Sequence, residues 1–239
     1  MEISVRITQD TRSETANKIM SPKISILVLL YGPCHREARR CLESILGNVP
    51  SDQYELIVGA NIPCREIVDF LESINHRIEH QIVSDVNLYK DPMMKQMLAK
   101  ASGELVWWFD DDSHITSPSA CADWLKKVEE SDESVVQWGQ EWWIDNPPGL
   151  HGEKSMEEFV RKAPWYTGRP MPESRWHFAT GGCWMMRHTA LAALNWPDPR
   201  LRIELEDLVL GEAIRQQGWK SMDLGKFGVA VNDGETRWT

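Results

Sequence analysis

The chain has 239 residues, 42% of them hydrophobic, which is enough for one sizeable core and makes a single α/β domain the simplest expectation. Its formal net charge is −10, from 26 Lys and Arg against 36 Asp and Glu. This acidity argues against a general nucleic-acid-binding surface, because binding to DNA would require a local basic patch.

The five cysteines are widely spaced and form neither a CxxC pair nor a Cys/His ligand pattern. We therefore expect reduced, mostly structural thiols. The first residues lack an apolar segment typical of a signal peptide, and no apolar run approaches the length needed to span a membrane. These patterns predict a soluble, cytoplasmic protein.

Strands and helices are expected to alternate through the first half of the chain. An alternating apolar pattern at Ile3, Val5 and Ile7 predicts an edge strand within an N-terminal extension, residues 1–22. The main domain, 23–239, then shows strand patterns at 23–31, 55–60, 81–84 and 105–109, and amphipathic helices at 35–46, at 65–75 and from Met93 to Leu98. The alternation predicts an α/β fold with a mostly parallel central sheet flanked by helices.

The second half is less regular. A helix around Trp124 and a strand at 134–143 precede residues 144–176, which are rich in Pro, Gly and aromatic side chains. Such a long insertion is typical of a functional loop, the alternative being a partly ordered connector. Extended structure is predicted for 177–186, a helix from Glu204 to Gly218, and a strand from Lys226 to Val231.

Three adjacent carboxylates, Asp110, Asp111 and Asp112, follow the apolar run 105–109. In an extended chain Asp110 and Asp112 would point to one side and Asp111 to the other, and the pair could hold a hard divalent cation through oxygen ligands. The alternative is a polar turn or a cap for the next helix. Ligands in open α/β sheets bind beyond the carboxyl ends of such strands.

Two later features complete the pattern. Gly181 and Gly182 interrupt an extended segment, and paired glycines allow a ligand or another backbone to approach closely. Glu206 and Asp207 lie near the start of a helix, where acids also stabilise the helix dipole, so a purely structural role is an alternative.

Together these features resemble family 2 glycosyltransferases of the Rossmann-like GT-A fold. The resemblance covers approximately residues 23–233 and depends on the first strand, Ala101-Ser102-Gly103-Glu104 before the three acids, the glycine pair, and Glu206-Asp207-Leu208 followed by Gly218-Trp219. It implies a metal-dependent, inverting transfer of a sugar from a nucleoside-diphosphate sugar, with UDP as the expected nucleotide, to an acceptor hydroxyl group. Residues 23–112 would form the nucleotide-sugar half and 113–239 the acceptor half.

The resemblance also implies roles for individual residues. Asp110 and Asp112 would hold Mn²⁺ or Mg²⁺ on the diphosphate, and Asp207, beside Glu206, would take the proton from the acceptor. The donor pocket is assigned to Tyr31, Asn61, Asn87, Lys90, Lys95 and Asp111. The acceptor side is assigned to Gly181, Gly182, Trp165, Tyr166 and Trp184.

Two positions depart from the family pattern. Members commonly carry an acid after the second strand, whereas this chain has Asn61, which leaves the nucleotide base open. Near the end, where a metal-binding histidine is common, the chain has Asp233, which could be a third oxygen ligand or part of an Asp-Gly turn. His114 is another possible ligand.

Other functions remain open at this stage. The acceptor could be a glycan, a small molecule or a protein. It could also be a hydroxylated base in phage DNA, because basic and aromatic side chains mix within 154–176. A nucleotidyltransferase and a non-catalytic module that binds sugars or nucleotides are the further alternatives.

Overall fold

An eight-stranded sheet forms the centre of the fold, in a computed structural model that describes residues 5–8, 24–150, 152–202 and 205–231. The strands are β1 Val5–Thr8, β2 Ile24–Tyr31, β3 Tyr54–Asn61, β4 His80–Ser84, β5 Leu105–Asp110, β6 His114–Ile115, β7 Val135–Asp145, β8 Arg175–Arg187, β9 Lys220–Asp223 and β10 Val229–Ala230. The helices are α1 His35–Asn48, α2 Arg65–Ile74, α3 Lys90–Leu98, α4 Ala120–Glu130, α5 Met156–Arg161, α6 His188–Leu194 and α7 Glu206–Gln216.

The strand order in the large sheet is β1-β4-β3-β2-β5-β8-β7-β9, and β6 pairs with β10 in a small second sheet. The pairs β4–β3, β3–β2, β2–β5 and β7–β9 are parallel, whereas β1–β4, β5–β8 and β8–β7 are antiparallel. This confirms the predicted α/β fold with a mostly parallel sheet. The described residues include no helix long and apolar enough to cross a membrane.

Apolar layers cover both faces of the sheet. Along β2, Leu27 and Leu29 pack in the layer that contains α3, α6 and α7, whereas Ile26 and Val28 pack in the layer with α1, α2 and α4. Because successive side chains of a strand point to opposite faces, a strand covered on both sides must be apolar throughout. The uninterrupted apolar runs of β2 and β5 are explained by this double burial.

Several strand ends meet at one edge of the sheet. In the register, Tyr31 at the end of β2 pairs with Asn61 at the end of β3, and Asp110 at the end of β5 pairs with Leu29. The antiparallel β8 enters at the same edge, because its Cys183 pairs with Phe109. The glycine segment of β8 therefore lies beside the acids that end β5.

Most predicted elements are confirmed to within a few residues, and β1 is an edge strand as expected. The sequence did not predict α6, β6 or β9, and the strand expected at 226–231 is limited to β10. β9 has the sequence Lys-Ser-Met-Asp, which lacks the apolar pattern of a strand. It is a strand because its backbone pairs with β7, a contact that the local sequence does not predict. None of the five cysteines, all in the described part of the chain, forms a disulfide bond.

Segment 144–176 is packed onto the domain over much of its described length. Met156, Phe159 and Trp165 are buried in the same layer as α7. The side chain of Gln217 donates to the carbonyl of Trp165 at 2.7 Å. The side chain of Gln216 donates to the carbonyl of Arg169 at 2.9 Å. These contacts fix the segment to the carboxyl end of α7.

Candidate active site

Lys90 lies at the centre of an acidic cluster at the carboxyl edge of the sheet. It is the first residue of α3, and its side chain is only 9% exposed. Its ammonium group donates to Asp110 Oδ2 at 2.8 Å and to the carbonyl of Gly181 at 3.0 Å, and forms an ion pair with Glu206 Oε1 at 2.6 Å. One buried cation therefore joins the end of β5, the glycine segment of β8 and the start of α7.

The charges of this cluster are interdependent. Burial lowers the pKa of Lys90, but the carboxylates of Asp110 and Glu206 more than offset this effect and raise the pKa above its ordinary value. Burial also raises the pKa of Glu206, and the charge of Lys90 opposes that rise. Lys90 therefore stays protonated at neutral pH and partly compensates the neighbouring acids.

Asp207 is half-buried, and backbone N–H groups hold both of its carboxylate oxygens. Oδ2 accepts from the N–H of Gly181 at 3.1 Å, and Oδ1 accepts from the N–H of Leu208 at 2.8 Å. Burial is the main cause that raises its pKa. A carboxylate with a fixed orientation and an increased affinity for protons can accept a proton from a hydroxyl group.

The structural alternative for this acid pair is also partly correct. Asp207 accepts an N–H of the first turn of α7, as expected for an acid at the positive end of a helix. Glu206 is bound instead by the tertiary ion pair with Lys90. A helix-capping role alone therefore does not account for both acids.

Because Gly181 has no side chain, it leaves space for the side chains of Glu206 and Lys90. A Cβ atom at this position would lie 2.7 Å from Glu206 Oε1 and 3.2 Å from Lys90 Nζ. Both Gly181 and Gly182, which were assigned to the acceptor side, are buried. Here the glycine permits the side chains of Glu206 and Asp207 to approach the backbone of β8 closely.

The chain turns immediately after Asp110, and the three acids separate. The N–H of Ser113 donates to the carbonyl of Asp110 at 3.0 Å, so the alternation expected for an extended chain does not apply. Asp111, which was assigned to the donor pocket, is 1% exposed, and its Oδ2 accepts a hydrogen bond from the N–H of Tyr31 at 3.0 Å. Asp112 is half-buried.

Asp110 and Asp112 have the donor chemistry of a site for a divalent cation. Asp110 Oδ1 accepts from the indole N–H of Trp108 at 3.0 Å, and Oδ2 accepts from Lys90, which leaves further lone pairs on both oxygens. The described residues contain no group of three or more His, Cys, Asp or Glu side chains that could hold a metal ion. Mg²⁺ or Mn²⁺ needs no such group when one or two carboxylates and substrate phosphates bind it. The two acids therefore fit a cation that binds together with a diphosphate.

Two further residues, Asp233 and His114, were proposed as metal ligands. Asp233 lies outside the described residues. His114 is half-buried in β6, where its backbone pairs with that of Ala230.

Tyr31, Asn87 and Tyr89 form an exposed group next to Asp111. The two tyrosines are 39% and 46% exposed, and the amide of Asn87 reaches the hydroxyl of Tyr31 at 3.5 Å. Asn87 Oδ1 accepts the N–H of Tyr89 at 2.8 Å. Tyr89 was not predicted: its φ of 66° is unfavourable for a non-glycine residue, and such strain is associated with functional sites. Its place in the sequence between Asn87 and Lys90, two residues assigned to the donor pocket, is the signal that could have singled it out.

Three other residues assigned to the donor pocket face elsewhere. Asn61 is 1% exposed, and its amide group donates to the carbonyl of Tyr89 at 3.1 Å and accepts the N–H of Leu88 at 3.2 Å. It supports the loop and is too buried to hydrogen-bond a nucleotide base. Lys90 is engaged with the acids, and Lys95 lies on another side of α3, in a cavity of about 280 Å³ with Asp91.

The aromatic residues assigned to the acceptor lie in the core or away from the acids. Trp184 is 2% exposed and stacks on Trp108 with ring centroids 6.0 Å apart. Trp165 is 5% exposed and bound at the carboxyl end of α7, and the Tyr166 hydroxyl accepts from Arg161 at 3.0 Å. At about 1.5 Å per residue, the length of α7 separates this end from Asp207 by roughly 15 Å. The structure thus places Trp184 in the core and Trp165 at the end of α7 opposite to Asp207.

The structure resembles solved glycosyltransferases. The mannosyltransferase PcManGT from Pyrobaculum calidifontis, in complex with GDP-Man and Mn²⁺, has a TM-score of 0.65 and 14% sequence identity, over 92% of this chain and 59% of that protein. TarS 1–349 from S. aureus has a TM-score of 0.55 and 14% identity, over 80% of this chain and 55% of that chain. The same protein in complex with UDP-GlcNAc has a TM-score of 0.54 and 16% identity, over 80% of this chain and 53% of that chain.

This chain thus spans little more than half the length of those structures, and identities this low show the fold alone. None of the curated proteins has significant sequence similarity to the chain. The sequence profile described as glycosyl transferase family 2, however, matches residues 25–194, which is most of the chain. The match includes β2, the three acids that follow β5, and the glycine segment of β8. The chain therefore belongs to glycosyl transferase family 2 and has the GT-A fold.

Proposed function

We propose that the chain is an inverting, metal-assisted glycosyltransferase that moves a hexosyl unit from a nucleoside-diphosphate sugar, with UDP as the first candidate nucleotide, to an acceptor hydroxyl group. The observation that carries the proposal is the position of Asp207, a half-buried acid with a raised pKa. It lies in a cluster that Lys90 joins to Asp110, the first acid after the nucleotide-binding strands.

The donor is proposed to bind on residues 23–112. Tyr31, Tyr89 and Asn87 supply an exposed aromatic and polar surface for the nucleoside. Asp110 and Asp112 would hold a divalent cation on the diphosphate, and the cation would offset the charge that develops on the leaving group. Asp111 and Asn61 keep the surrounding loops in place.

The acceptor is proposed to bind on the part of the chain after residue 113. The carboxylate of Asp207 takes the proton of the acceptor hydroxyl as that oxygen forms a bond to the anomeric carbon. The bond between the anomeric carbon and the diphosphate oxygen breaks on the opposite face, and its electron pair leaves with the nucleoside diphosphate. Direct displacement of this kind inverts the anomeric configuration. Glu206 acts indirectly, by holding Lys90.

A DNA acceptor is less well supported. The basic residues of 154–176 that suggested it are largely paired with acids, as in Arg161 with Glu157 and Lys162 with Glu153 at 2.7 Å. Arg175 likewise pairs with an acid, Asp145, at 2.9 Å. A surface whose cations are already compensated has little excess charge for a phosphate backbone.

The test of the catalytic role is Asp207→Asn. The amide keeps the shape of the side chain but cannot accept a proton from a hydroxyl group, so we expect transfer to fall by about 100-fold or more. The variant should bind UDP as the unaltered protein does, because Asp207 has no proposed contact with the nucleotide. Calorimetric titration of UDP with Mn²⁺ and chromatography of the glycosylated product measure the two properties.

The identity of the released product separates this function from the alternatives. Release of a nucleoside diphosphate supports glycosyl transfer, whereas release of pyrophosphate would support nucleotidyl transfer. Tight donor binding without any turnover would support a non-catalytic binding module. Undiminished transfer by Asp207→Asn would refute the assignment of the base.

A further inference from the structure

Two neighbouring tryptophans are exposed on a ribbon formed by the outer ends of β7 and β8. Trp142 pairs with Phe178 and Trp143 with His177 in this ribbon. Trp142 is 50% exposed and Trp143 is 55% exposed, and consecutive residues of a strand point to opposite faces. The guanidinium of Arg175 lies 5.6 Å from the centroid of the Trp143 ring, whereas Trp142 faces a cavity.

This cavity has a volume of about 510 Å³, within the usual range of roughly 300–1,000 Å³ for ligand sites. Its wall combines one large aromatic face with polar groups on different elements. The residues that line it are Thr116, Gln140, Trp142, Lys226, Val229, Ala230 and Val231.

One side of the cavity adjoins the turn that contains the three acids. Thr116 follows β6 directly, and its N–H donates to the carbonyl of Gly228 at 2.8 Å. In the β6–β10 pair, His114 lies opposite Ala230, which also lines the cavity. Asp112 precedes His114 by two residues, so their backbones are at most about 7 Å apart. The cavity therefore begins close to the proposed cation site.

The other side of the cavity includes a residue of β7, Gln140, near the glycine segment of β8. The β7–β8 ladder is interrupted between the pairs Gly139–Trp184 and Glu141–Ala179, so Gln140 lies opposite the irregular part of β8. That part contains Gly181, whose N–H holds the carboxylate of Asp207. Gln140, in the wall of the cavity, thus lies on β7 near the segment of β8 that holds Asp207.

We propose that this cavity is the acceptor subsite and that it binds a sugar ring of a carbohydrate acceptor, stacked on Trp142. The apolar face of a sugar packs on an indole ring, and its hydroxyl groups need donors and acceptors at the rim. Gln140, Thr116 and Lys226 supply an amide, a hydroxyl and an ammonium group at that rim. This inference rests on the proposed function and specifies the class of acceptor.

A second cavity of similar volume, about 490 Å³, is less suitable. It lies against α7 and is lined by Glu141, His177, Glu212 and Arg215, which are engaged in pairs: His177 with Glu141 at 3.1 Å and Arg215 with Glu212 at 2.7 Å. Arg215 belongs to the last turn of α7, at the end opposite to Asp207. Trp142 therefore lines the first cavity, whereas Trp143 lines neither of the two.

Matched variants of the two tryptophans test the proposal. The unaltered protein, Trp142→Ala, Trp142→Phe and Trp143→Ala are assayed with UDP-glucose, UDP-galactose and UDP-N-acetylglucosamine in the presence of Mn²⁺. The acceptors are neutral methyl glycosides of glucose, galactose, mannose and N-acetylglucosamine, together with cellobiose and maltose. The measurements are the KM for the saccharide and the affinity for UDP.

We expect Trp142→Ala to raise the KM for the saccharide by about tenfold or more. A tenfold change corresponds to about 1.4 kcal/mol of binding free energy. Trp142→Phe should restore part of the loss, because it retains an aromatic face. Trp143→Ala should leave transfer within about twofold of the unaltered protein, and all variants should bind UDP equally.

Equal effects of Trp142→Ala and Trp143→Ala on the KM would overturn the proposal, as would transfer to the oligonucleotide dT12 but to no saccharide. If UDP is released from the donor but no saccharide is glycosylated, this inference fails while the proposed function stands. If the unaltered protein neither binds UDP nor releases it from any donor, the proposed function itself fails.

Discussion

Lys90 was expected to contact the nucleotide, but its side chain is buried among the acids of the site. Its ammonium group is directed into the protein, where Asp110 and Glu206 bind it. Lys90→Met would leave these two carboxylates without their cation. Because removal of one partner of a buried ion pair costs about 3–5 kcal/mol, we expect a loss of unfolding free energy of that order. Urea denaturation at pH 7 measures it.

Lys95→Met is the matched control, because Lys95 is an exposed lysine on the same helix. Its substitution should change the unfolding free energy by no more than about 0.5 kcal/mol. A Lys90→Met variant that is as stable as Lys95→Met but has lost its affinity for UDP would show that Lys90 contacts the nucleotide after all.

Asp91, the neighbour of Lys90, is a buried acid whose two carboxylate oxygens have no hydrogen-bond partner among the described residues. It is 1% exposed, and burial, with a further contribution from the charge of Glu206, raises its pKa from 3.8 to about 8. The charge of Lys90 opposes the rise. Between about pH 4 and pH 8 the unfolded chain releases this proton while the folded chain retains it. Stability therefore falls as the pH rises through this window.

Asp91→Asn removes this proton and should weaken the pH dependence. The unfolding free energy of the variant, relative to the unaltered protein, should increase from pH 4 to pH 8, at up to about 1.4 kcal/mol per pH unit. The raised pKa values of Glu206 and Asp207 contribute in the same direction and remain in the variant. Urea denaturation at several pH values measures the difference, with Asp85→Asn at an exposed position as control. If the unfolding free energies of Asp91→Asn and Asp85→Asn change with pH in the same way, the expectation is wrong.

At the scale of elements, α7 connects the site to the rest of the domain. Its first turn carries Glu206 and Asp207, and its last turn holds segment 144–176. In between, a Cβ atom on Gly211 would lie 2.5 Å from the carbonyl of His177, so the helix packs very closely on β8. This close contact places Asp207 within reach of the N–H of Gly181.

The elements best predicted from the sequence are those whose signal is local. The apolar runs of β2 and β5 and the amphipathic pattern of α1 depend on neighbouring residues, and the structure confirms them. Burial of an aromatic side chain depends instead on partners distant in the chain. Trp184 is covered by Trp108 from β5, whereas Trp142 has a cavity beside it. The sequence therefore shows that tryptophans are numerous, but it does not show which of them are exposed to solvent.

The same distinction applies to the site. Asp110, Asp112 and Asp207 were predicted from motifs, and their proposed roles are compatible with their positions at one edge of the sheet. The pairing of Lys90 with Glu206, and the fixation of Asp111 by the N–H of Tyr31, could not be predicted. Both contacts join residues from separate strands and helices, so they follow from the strand order and not from local spacing.

At the scale of the whole molecule, the site concentrates the negative charge of an acidic chain. Asp110, Asp111 and Asp112 lie within one turn, and Glu206 and Asp207 approach them, with Lys90 as a cation among them. A diphosphate would add further negative charge at this position. Like charges at such separations repel unless a cation lies between them. We therefore expect binding of the nucleotide to depend on a divalent ion.

Thermal unfolding of the whole domain provides the test of this dependence. A ligand at 100 times its Kd that binds only the folded state adds about 2.7 kcal/mol to the unfolding free energy, so UDP with Mn²⁺ should raise the Tm by several degrees. UDP without the metal should raise it much less. Asp112→Asn should lose the metal-dependent part of the shift, whereas Asp52→Asn, at an exposed position before β3, should retain it. An equal rise with UDP in the presence of a chelator would mean that Lys90, and not a metal ion, compensates the diphosphate.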